Sequence, residues 1–250
     1  MSDKADSSLA RMLGVLDLFT EQRLHWTADE ISEALQVSLP TGYRYVKMLT
    51  EAGLLQRAGA AQVTLGPRII VLDHYIRQAD PVLQHGIPFM KELVALTGFD
   101  CVVSSLLGLQ VLDTHREYST VPVDLSYGRG RPRPLFLGAA PKVILAQLPT
   151  ATLHKIMDTH AGDMGAAGLP TTWPEFRRYF ARIRKAGFYF SNGELEPTLS
   201  ALAVPLLAPD GRVLGALSLV SSVQRMAMID ISKLMPLLQR AAADICARLL

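Results

Sequence analysis

The chain has 250 residues, of which 49% are hydrophobic and 19% charged, and its formal net charge is +2. These values fit one large or two ordinary globular domains and exclude a disordered chain. No apolar stretch is long enough for a membrane span, and residues 1–6 are too polar for a signal peptide. The two cysteines, Cys101 and Cys246, lie in apolar surroundings. We therefore expect a reducing cytoplasm, no metal site and no cofactor.

The first elements form a helical pattern. Apolar residues at helical spacing predict a helix over residues 8–20. Trp26 follows a short connection and is placed to pack against the next helix. Thr27 and Glu30 are three residues apart, as in a capping box, so we expect a second helix to begin at Thr27.

The next predicted helix has two distinct faces. Ser38 suits its N-cap position, and Pro40 is tolerated in a first turn, where the backbone N–H has no intrahelical partner. The face expected to be buried comprises Gly42, Tyr45, Val46 and Leu49. The other face comprises Pro40, Thr41, Tyr43, Arg44 and Lys47. Hydroxyl and ammonium groups suit phosphates and arginine suits guanine edges, so this face is typical of a helix that reads the major groove. A solvated polar face is the alternative.

Two strand-like runs, 54–57 and 62–65, predict a β-hairpin. Three helices followed by a hairpin form a winged helix-turn-helix, with Arg57 on the wing either near phosphate or merely solvated. The DNA contacts expected are Thr27, Ser38, Pro40, Thr41, Tyr43, Arg44, Lys47 and Arg57. Residues 1–79 hold eight Lys or Arg and nine Asp or Glu, whereas DNA-binding segments are usually basic. DNA binding would therefore need the basic side chains to lie on one face of the segment. Dimerisation would then multiply a modest set of DNA contacts.

A third segment follows the hairpin. Gly66 and Pro67 end the hairpin and begin a helix with an apolar stripe, which stops at Asp80 and Pro81. The domains predicted are a winged helix-turn-helix at 1–66, a linker helix at 67–80 and a second domain at 81–250.

The second domain mixes strands and helices. Strands are expected at 100–107, 110–118, 188–190, 199–207 and 212–220. Helices are expected at 82–96, 138–148, 150–160, 173–185 and 229–250. Strands joined by hairpins and flanked by helices indicate an α+β sensor domain with a central antiparallel sheet.

Four stretches, in order and spacing, resemble the IclR family of bacterial transcriptional regulators. They are residues 38–44 with 49–54, residues 134–146, residues 183–188 with Glu194, and residues 201–205 with 210–218. Each stretch alone is weak, but together they cover almost the whole chain. The resemblance implies a winged helix and linker helix joined to a GAF-like effector-binding domain. It also implies homodimers that often pair into tetramers, bind a double-stranded DNA operator of a catabolic operon and respond to a small organic acid.

The resemblance also implies where that acid binds. The effector-contacting positions expected are Leu135, Leu137, Ala139, Ala140, Ser191, Asn192, Ala201, Ser218 and Val220. The family often has a polar group at Ala201, Ser at Val220 and an acidic pair where only Glu194 remains. Because these departures make the pocket less polar, we expect an aromatic or hydrophobic carboxylate. A small aliphatic acid is the alternative.

Other chemistries find less support. Prolines exclude a helix directly after the glycines of residues 128–134, so this segment is not a phosphate-binding loop. As an alternative, the segment could bind a ligand carboxylate through one of its arginines, Arg129, Arg131 or Arg133. Cys101 with His115 is the only nucleophile and base pair of note, and a buried thiol is usually inert. An enzyme with a winged-helix appendage is therefore disfavoured, and we expect no catalytic activity. A winged helix used only for protein contacts is disfavoured by its polar face.

Overall fold

The structure is a computed structural model that describes residues 7–108 and 110–249. The chain divides between Ala79 and Asp80 into two compact units. Within the described residues, no helix combines the length and the apolar character that crossing a membrane requires.

The first unit begins with helix α1, Ser8–Leu13, and a separate 3₁₀ turn, Leu16–Leu18. The prediction of one continuous helix over residues 8–20 is therefore wrong. Gly14 ends α1, and glycine has the lowest helix propensity after proline. The tighter turn that follows leaves Val15 fully buried in the core of this unit.

Helices α2, Ala28–Ala34, and α3, Leu39–Glu51, form the helix-turn-helix. The capping box is confirmed: Thr27 Oγ1 accepts the N–H of Glu30 at 3.2 Å, and the Glu30 carboxylate accepts the N–H of Thr27 at 2.8 Å. Ser38 occupies the N-cap position of α3, but its hydroxyl caps no backbone N–H. It lies 2.9 Å from the Thr41 hydroxyl instead, so the expected side-chain cap is absent.

Gly42 allows α2 and α3 to approach closely. A Cβ at this position would overlap Ser32 Oγ and lie 3.0 Å from Ser32 Cβ. Ser32 is buried, and its hydroxyl donates to the Ala28 carbonyl at 2.7 Å. The glycine is therefore a packing requirement, although it costs about 1 kcal/mol of helix propensity relative to alanine.

A three-stranded sheet completes the winged helix. Strands β2, Leu55–Arg57, and β3, Gln62–Leu65, form the predicted hairpin, and β1, Trp26–Thr27, pairs with the other edge of β3. β1 has only two residues, too few for a periodic signal. Trp26 is held there because its indole N–H donates to the Leu18 carbonyl at 3.0 Å.

Helix α4, Arg68–Ala79, closes the first unit and buries none of its residues. Its apolar side chains face outward instead: Ile70 is 73% exposed and Ile76 is 64% exposed. The apolar stripe predicted from the sequence is therefore present but uncovered within the single chain.

The second unit is built on a six-stranded antiparallel sheet with the order β6-β5-β4-β9-β8-β7. Its elements are α5 Pro81–Thr97, β4 Asp100–Leu107, β5 Gln110–Glu117, β6 Pro132–Arg133, α6 Ala139–Gln147, α7 Thr150–Thr159, α8 Ala161–Ala166, α9 Trp173–Ala186, β7 Tyr189–Asn192, β8 Leu199–Leu207, β9 Val213–Ser222, α10 Val223–Ala227 and α11 Ile231–Ala247. The predicted α+β class and the antiparallel sheet are confirmed. The sequence did not indicate β6, α8 or α10, each of six residues or fewer.

Two apolar cores lie on opposite faces of this sheet. On one face α6, α7 and α9 pack around a core that includes Phe136, Ile144 and Phe176. On the other face α5 and α11 pack around a core that includes Met90 and Leu238. Alternate residues of β8 serve the two cores, as the two-residue repeat of a strand requires.

The packing at Gly42 leads to a first prediction. We expect Gly42→Ala to lower the free energy of unfolding of the first unit by about 1 kcal/mol, because overpacking costs about 1–3 kcal/mol and outweighs the gain in helix propensity. Urea unfolding followed by tryptophan fluorescence in a Trp173→Phe background, which leaves Trp26 as the single tryptophan, measures this change. Adding Ser32→Ala, which removes the overlapping hydroxyl, should restore part of the loss. Stability of Gly42→Ala at or above that of the parent chain would contradict this account.

Candidate functional site

The first unit has a groove between α3 and the wing. It has a volume of about 840 Å³ and is lined by Thr27, Tyr43, Arg44, Lys47 and Arg57 among others. Five of the eight predicted DNA contacts thus come together. The other three, Ser38, Pro40 and Thr41, lie at the start of α3 outside this lining.

The charges of the groove are mixed. Arg44, Lys47 and Arg57 are exposed, but Asp29 and Glu51 line the same groove. Lys47 Nζ lies 3.9 Å from the Glu51 carboxylate. The sequence expectation of charges sorted cleanly by face therefore holds only in part, and phosphate attraction here is modest.

Two hydroxyl groups of the predicted contacts are already engaged. The Thr27 hydroxyl donates to Glu30 at 2.9 Å and also accepts from its backbone N–H. The Tyr43 hydroxyl is hydrogen-bonded to Asp29, and this bond together with the negative charge of Asp29 raises the pKa of Tyr43. These two side chains thus have less hydrogen-bonding capacity for DNA than the sequence suggests.

The second unit contains a cavity on the α6 face of its sheet. Six of the nine predicted effector positions line it: Ala139, Ala140, Ser191, Ala201, Ser218 and Val220. Strand register explains part of this set, since Ser191 on β7 pairs with Ala201 on β8, which pairs with Val220 on β9. The cavity volume is about 30 Å³, roughly the share of one water molecule in the liquid.

Three predicted effector positions are placed elsewhere. Leu135 is buried in the apolar core under α6, and Leu137 does not line the cavity. Asn192 is exposed, and its Oδ1 accepts a hydrogen bond from the Ser200 hydroxyl at 2.6 Å.

The cavity also has lining residues that the sequence did not indicate as contacts. These are Leu125, Gly138, Leu195, Glu196, Leu199 and Ser200. Leu199 lies two residues before Ala201 on β8, so the two-residue repeat of the strand could have indicated it. That repeat gives no such signal for Ser200, which lies between them. Leu125 and Glu196 lie on irregular segments, which carry no periodic signal.

Of the three arginines considered from the sequence, only Arg133 lines the cavity. Its guanidinium makes two hydrogen bonds to Asp113, at 2.7 and 2.6 Å, and the Ser104 hydroxyl donates to the same carboxylate. Arg129 and Arg131 donate to backbone carbonyls of Thr114 and Ser126. Arg133 is therefore already paired with a carboxylate of the protein.

The start of α6 lies at the cavity. Gly138, at the N-cap with φ of 85°, has no capping side chain, and the first turn holds no acidic residue. The first N–H groups of a helix have no intrahelical partners and carry a partial positive charge. Ala139 and Ala140, the first two residues of α6, line the cavity, whereas Pro141 has no N–H and the Gly138 N–H already donates to Glu194.

Ser218 adds a second polar group. It is 3% exposed, and among the described residues its hydroxyl has no hydrogen-bond partner. Because a buried hydroxyl without a partner is unfavourable by about 1–3 kcal/mol, such a group in a cavity wall is suited to meet a ligand.

A partly buried polar network holds the α6 start in place. Glu194 Oε2 accepts from Lys142 Nζ at 2.6 Å and from the Gly138 N–H at 3.2 Å. The Tyr189 hydroxyl donates to Glu194 Oε1 at 2.8 Å, and burial is the main cause that raises the pKa of Tyr189. Glu196, two residues on, accepts from the Ser126 N–H at 2.9 Å. The segment 194–196 is thus tied both to α6 and to the loop that contains Ser126.

The catalytic alternatives gain no support. Cys101 is fully buried, and burial raises the pKa of its thiol, which keeps it neutral. His115 Nε2 lies 2.8 Å from Glu117, its neighbour along the strand. Among residues 7–108 and 110–249, no group of three or more His, Cys, Asp or Glu is arranged to hold a metal ion.

Comparison with known proteins connects both sites to one family. The family model described as "Bacterial transcriptional regulator IclR C-terminal" matches residues 74–247, and "IclR helix-turn-helix domain" matches residues 8–59. The chain is 26% identical to the Pca regulon regulatory protein of Pseudomonas putida, over 97% of this chain and 84% of that protein. It is 24% identical to the HTH-type transcriptional regulator XynR of Escherichia coli, over 94% and 93% of the two chains.

A solved structure shares the fold. An IclR homologue from Microbacterium hydrocarbonoxydans complexed with 4-hydroxybenzoate superimposes with a TM-score of 0.78 and 23% identity, covering 97% of this chain and 99% of that one. Because the two family models together span nearly all of the described chain, this protein belongs to the IclR family of transcriptional regulators, which are DNA-binding proteins and not enzymes.

Proposed function

We propose that this protein is an effector-responsive regulator of a catabolic operon and acts in the cytoplasm as a homodimer or homotetramer. The α3 helices of two subunits bind successive major grooves of a double-stranded operator, and each wing lies along the DNA backbone beside its α3. An organic acid binds in the cavity beside α6. The exposed apolar side chains of α4 support self-association. Residues 67–80 form the linker between a DNA-binding domain at 1–66 and an effector-binding domain at 81–250. Only a ligand with different affinities for two arrangements of the protein can alter DNA binding.

The observation that carries the effector proposal is the α6 start facing the cavity. An effector carboxylate would accept hydrogen bonds from the backbone N–H groups of Ala139 and Ala140, as anions do at helix starts. Ser218 would supply a further hydrogen bond, while Leu125, Leu195 and Val220 offer apolar surface.

Two classes of acid compete for this cavity. An aromatic or hydrophobic carboxylate is supported by the apolar side chains at Ala201 and Val220 and by the 4-hydroxybenzoate bound to the Microbacterium homologue. It requires the segment 194–196 and the Ser126 loop to move outward. A small aliphatic acid is favoured by the volume of about 30 Å³, since it needs less opening.

A melting-temperature screen distinguishes these classes. A ligand that binds only the folded state stabilises it, by about 2.7 kcal/mol at a hundred times its Kd. Because the cavity lining offers apolar surface, we expect benzoate-type acids to bind more tightly and to raise the melting temperature more than acetate, pyruvate or glyoxylate. Differential scanning fluorimetry of the full chain measures the shift. A shift with the aliphatic acids alone would transfer the proposal to that class.

Ser218→Ala tests the site itself. We expect the acid found in the screen to bind about two- to tenfold more weakly, since one hydrogen bond contributes about 0.5–1.5 kcal/mol. Isothermal titration calorimetry measures the Kd. The matched control is Ser221→Ala: Ser221 is equally buried and also lacks a hydroxyl partner in the described structure, but it does not line the cavity. Equal affinities for the parent chain and both variants would remove Ser218 from the site.

Arg44→Ala tests the DNA surface. We expect about 5- to 150-fold weaker binding to a duplex selected from a random library, because a base-contacting arginine contributes about 1–3 kcal/mol. Fluorescence anisotropy at fixed salt measures the affinity, and calorimetry should show unchanged effector binding. Arg212→Ala is the control, since Arg212 is an exposed arginine of the second unit. Unchanged DNA affinity of Arg44→Ala would exclude this arginine from the interface.

A further inference from the structure

The exposed face of α3 is unusually apolar at its beginning. Leu39, the first helical residue, is 54% exposed, and Tyr43, one turn later, is 56% exposed. Residues four apart lie on the same side of a helix, so the two side chains are neighbours. Neither belongs to the apolar core of the first unit, so packing within the described chain does not explain them.

The polar groups around these side chains are bound to each other. The Tyr43 hydroxyl interacts with Asp29 of α2, which raises the pKa of Tyr43, and the exposed ring adds apolar surface. The hydroxyls of Ser38 and Thr41, on either side of Leu39, lie 2.9 Å apart and pair with each other. The first turn of α3 therefore presents more apolar surface than its sequence suggests.

The family match indicates that this surface of α3 faces DNA bases. The helix-turn-helix match covers α3, and the first turns of a recognition helix meet base edges in the major groove. The only apolar feature on the base edges there is the C5-methyl group of thymine. Direct base contacts also matter more here, because Asp29 and Glu51 beside the groove weaken phosphate attraction.

We propose that Leu39 and Tyr43 read thymine methyl groups in each operator half-site. Arg44, next to Tyr43, then contacts a guanine or a phosphate beside them. This inference rests on the proposed DNA binding and adds to it a chemical requirement on the operator.

Removal of single methyl groups tests it. A duplex is selected from a random library with the full-length protein, and each thymidine is replaced in turn by deoxyuridine, which differs only by the missing methyl. At one or two positions in each half-site, we expect deoxyuridine to raise the Kd about fourfold. This is the change that corresponds to about 0.8 kcal/mol for burying one methyl group. All affinities are measured at one salt concentration.

Variants assign those positions to side chains. In Leu39→Ala and Tyr43→Ala, the deoxyuridine penalty at the corresponding position should fall to nearly nothing. Met48→Ala is the matched control, because Met48 is an equally exposed apolar residue of α3 but lies beyond its first turns. Its penalties should match those of the parent chain. Circular dichroism melts check that each variant is folded.

The outcomes separate the two proposals. Tight binding without any deoxyuridine penalty, or penalties that persist in both Leu39→Ala and Tyr43→Ala, would overturn the methyl-reading inference and leave the regulator proposal in place. If no duplex is recovered by the folded parent protein, the DNA-binding proposal fails together with it.

Discussion

The cavity beside α6 depends on one partly buried ion pair. The ammonium of Lys142 lies 2.6 Å from the Glu194 carboxylate, and the two side chains are 5% and 24% exposed. Removing one partner of a fully buried pair typically costs about 3–5 kcal/mol, because a charge is then left without compensation, and the partial exposure of Glu194 lowers that cost here. Through Glu194 the pair also holds the Gly138 N–H, so it fixes the position of the α6 start and of the segment that carries Leu195 and Glu196. The wall of the cavity and the start of α6 thus share one anchor.

A second constraint governs the DNA-binding unit. Gly42 lets α2 and α3 pack at a distance that any side chain would prevent, and the capping box at Thr27 fixes where α2 begins. This rigid pair presents a surface of mixed charge, with apolar side chains where recognition begins. Affinity for DNA would then depend on base contacts and on two copies binding together, more than on a strongly basic face.

Much of this could be predicted from the sequence, and the exceptions have physical causes. The capping box, the hairpin and the long strands β8 and β9 have strong local patterns, which tertiary packing did not overrule. The two-residue strands β1 and β6 have no such pattern, because partners distant in sequence define them. The same holds for the residues that line the cavity. Ala201 and Val220 were predicted from their positions in sequence motifs, whereas Glu196 and Leu125 reach the cavity only because irregular segments fold back against it. The engaged hydroxyls of Thr27 and Tyr43 likewise became visible only with their partners in place.

The central claim is that an acid bound beside α6 changes the affinity of α3 and the wing for DNA. The most direct test is the Kd for the selected duplex, measured by fluorescence anisotropy at fixed salt with and without a saturating concentration of the acid found in the melting screen. We expect a change of about 5- to 150-fold in either direction, with the same factor in the affinity for the acid when DNA is bound, since coupling is reciprocal. An acid that binds tightly but leaves the Kd for DNA unchanged would contradict this account.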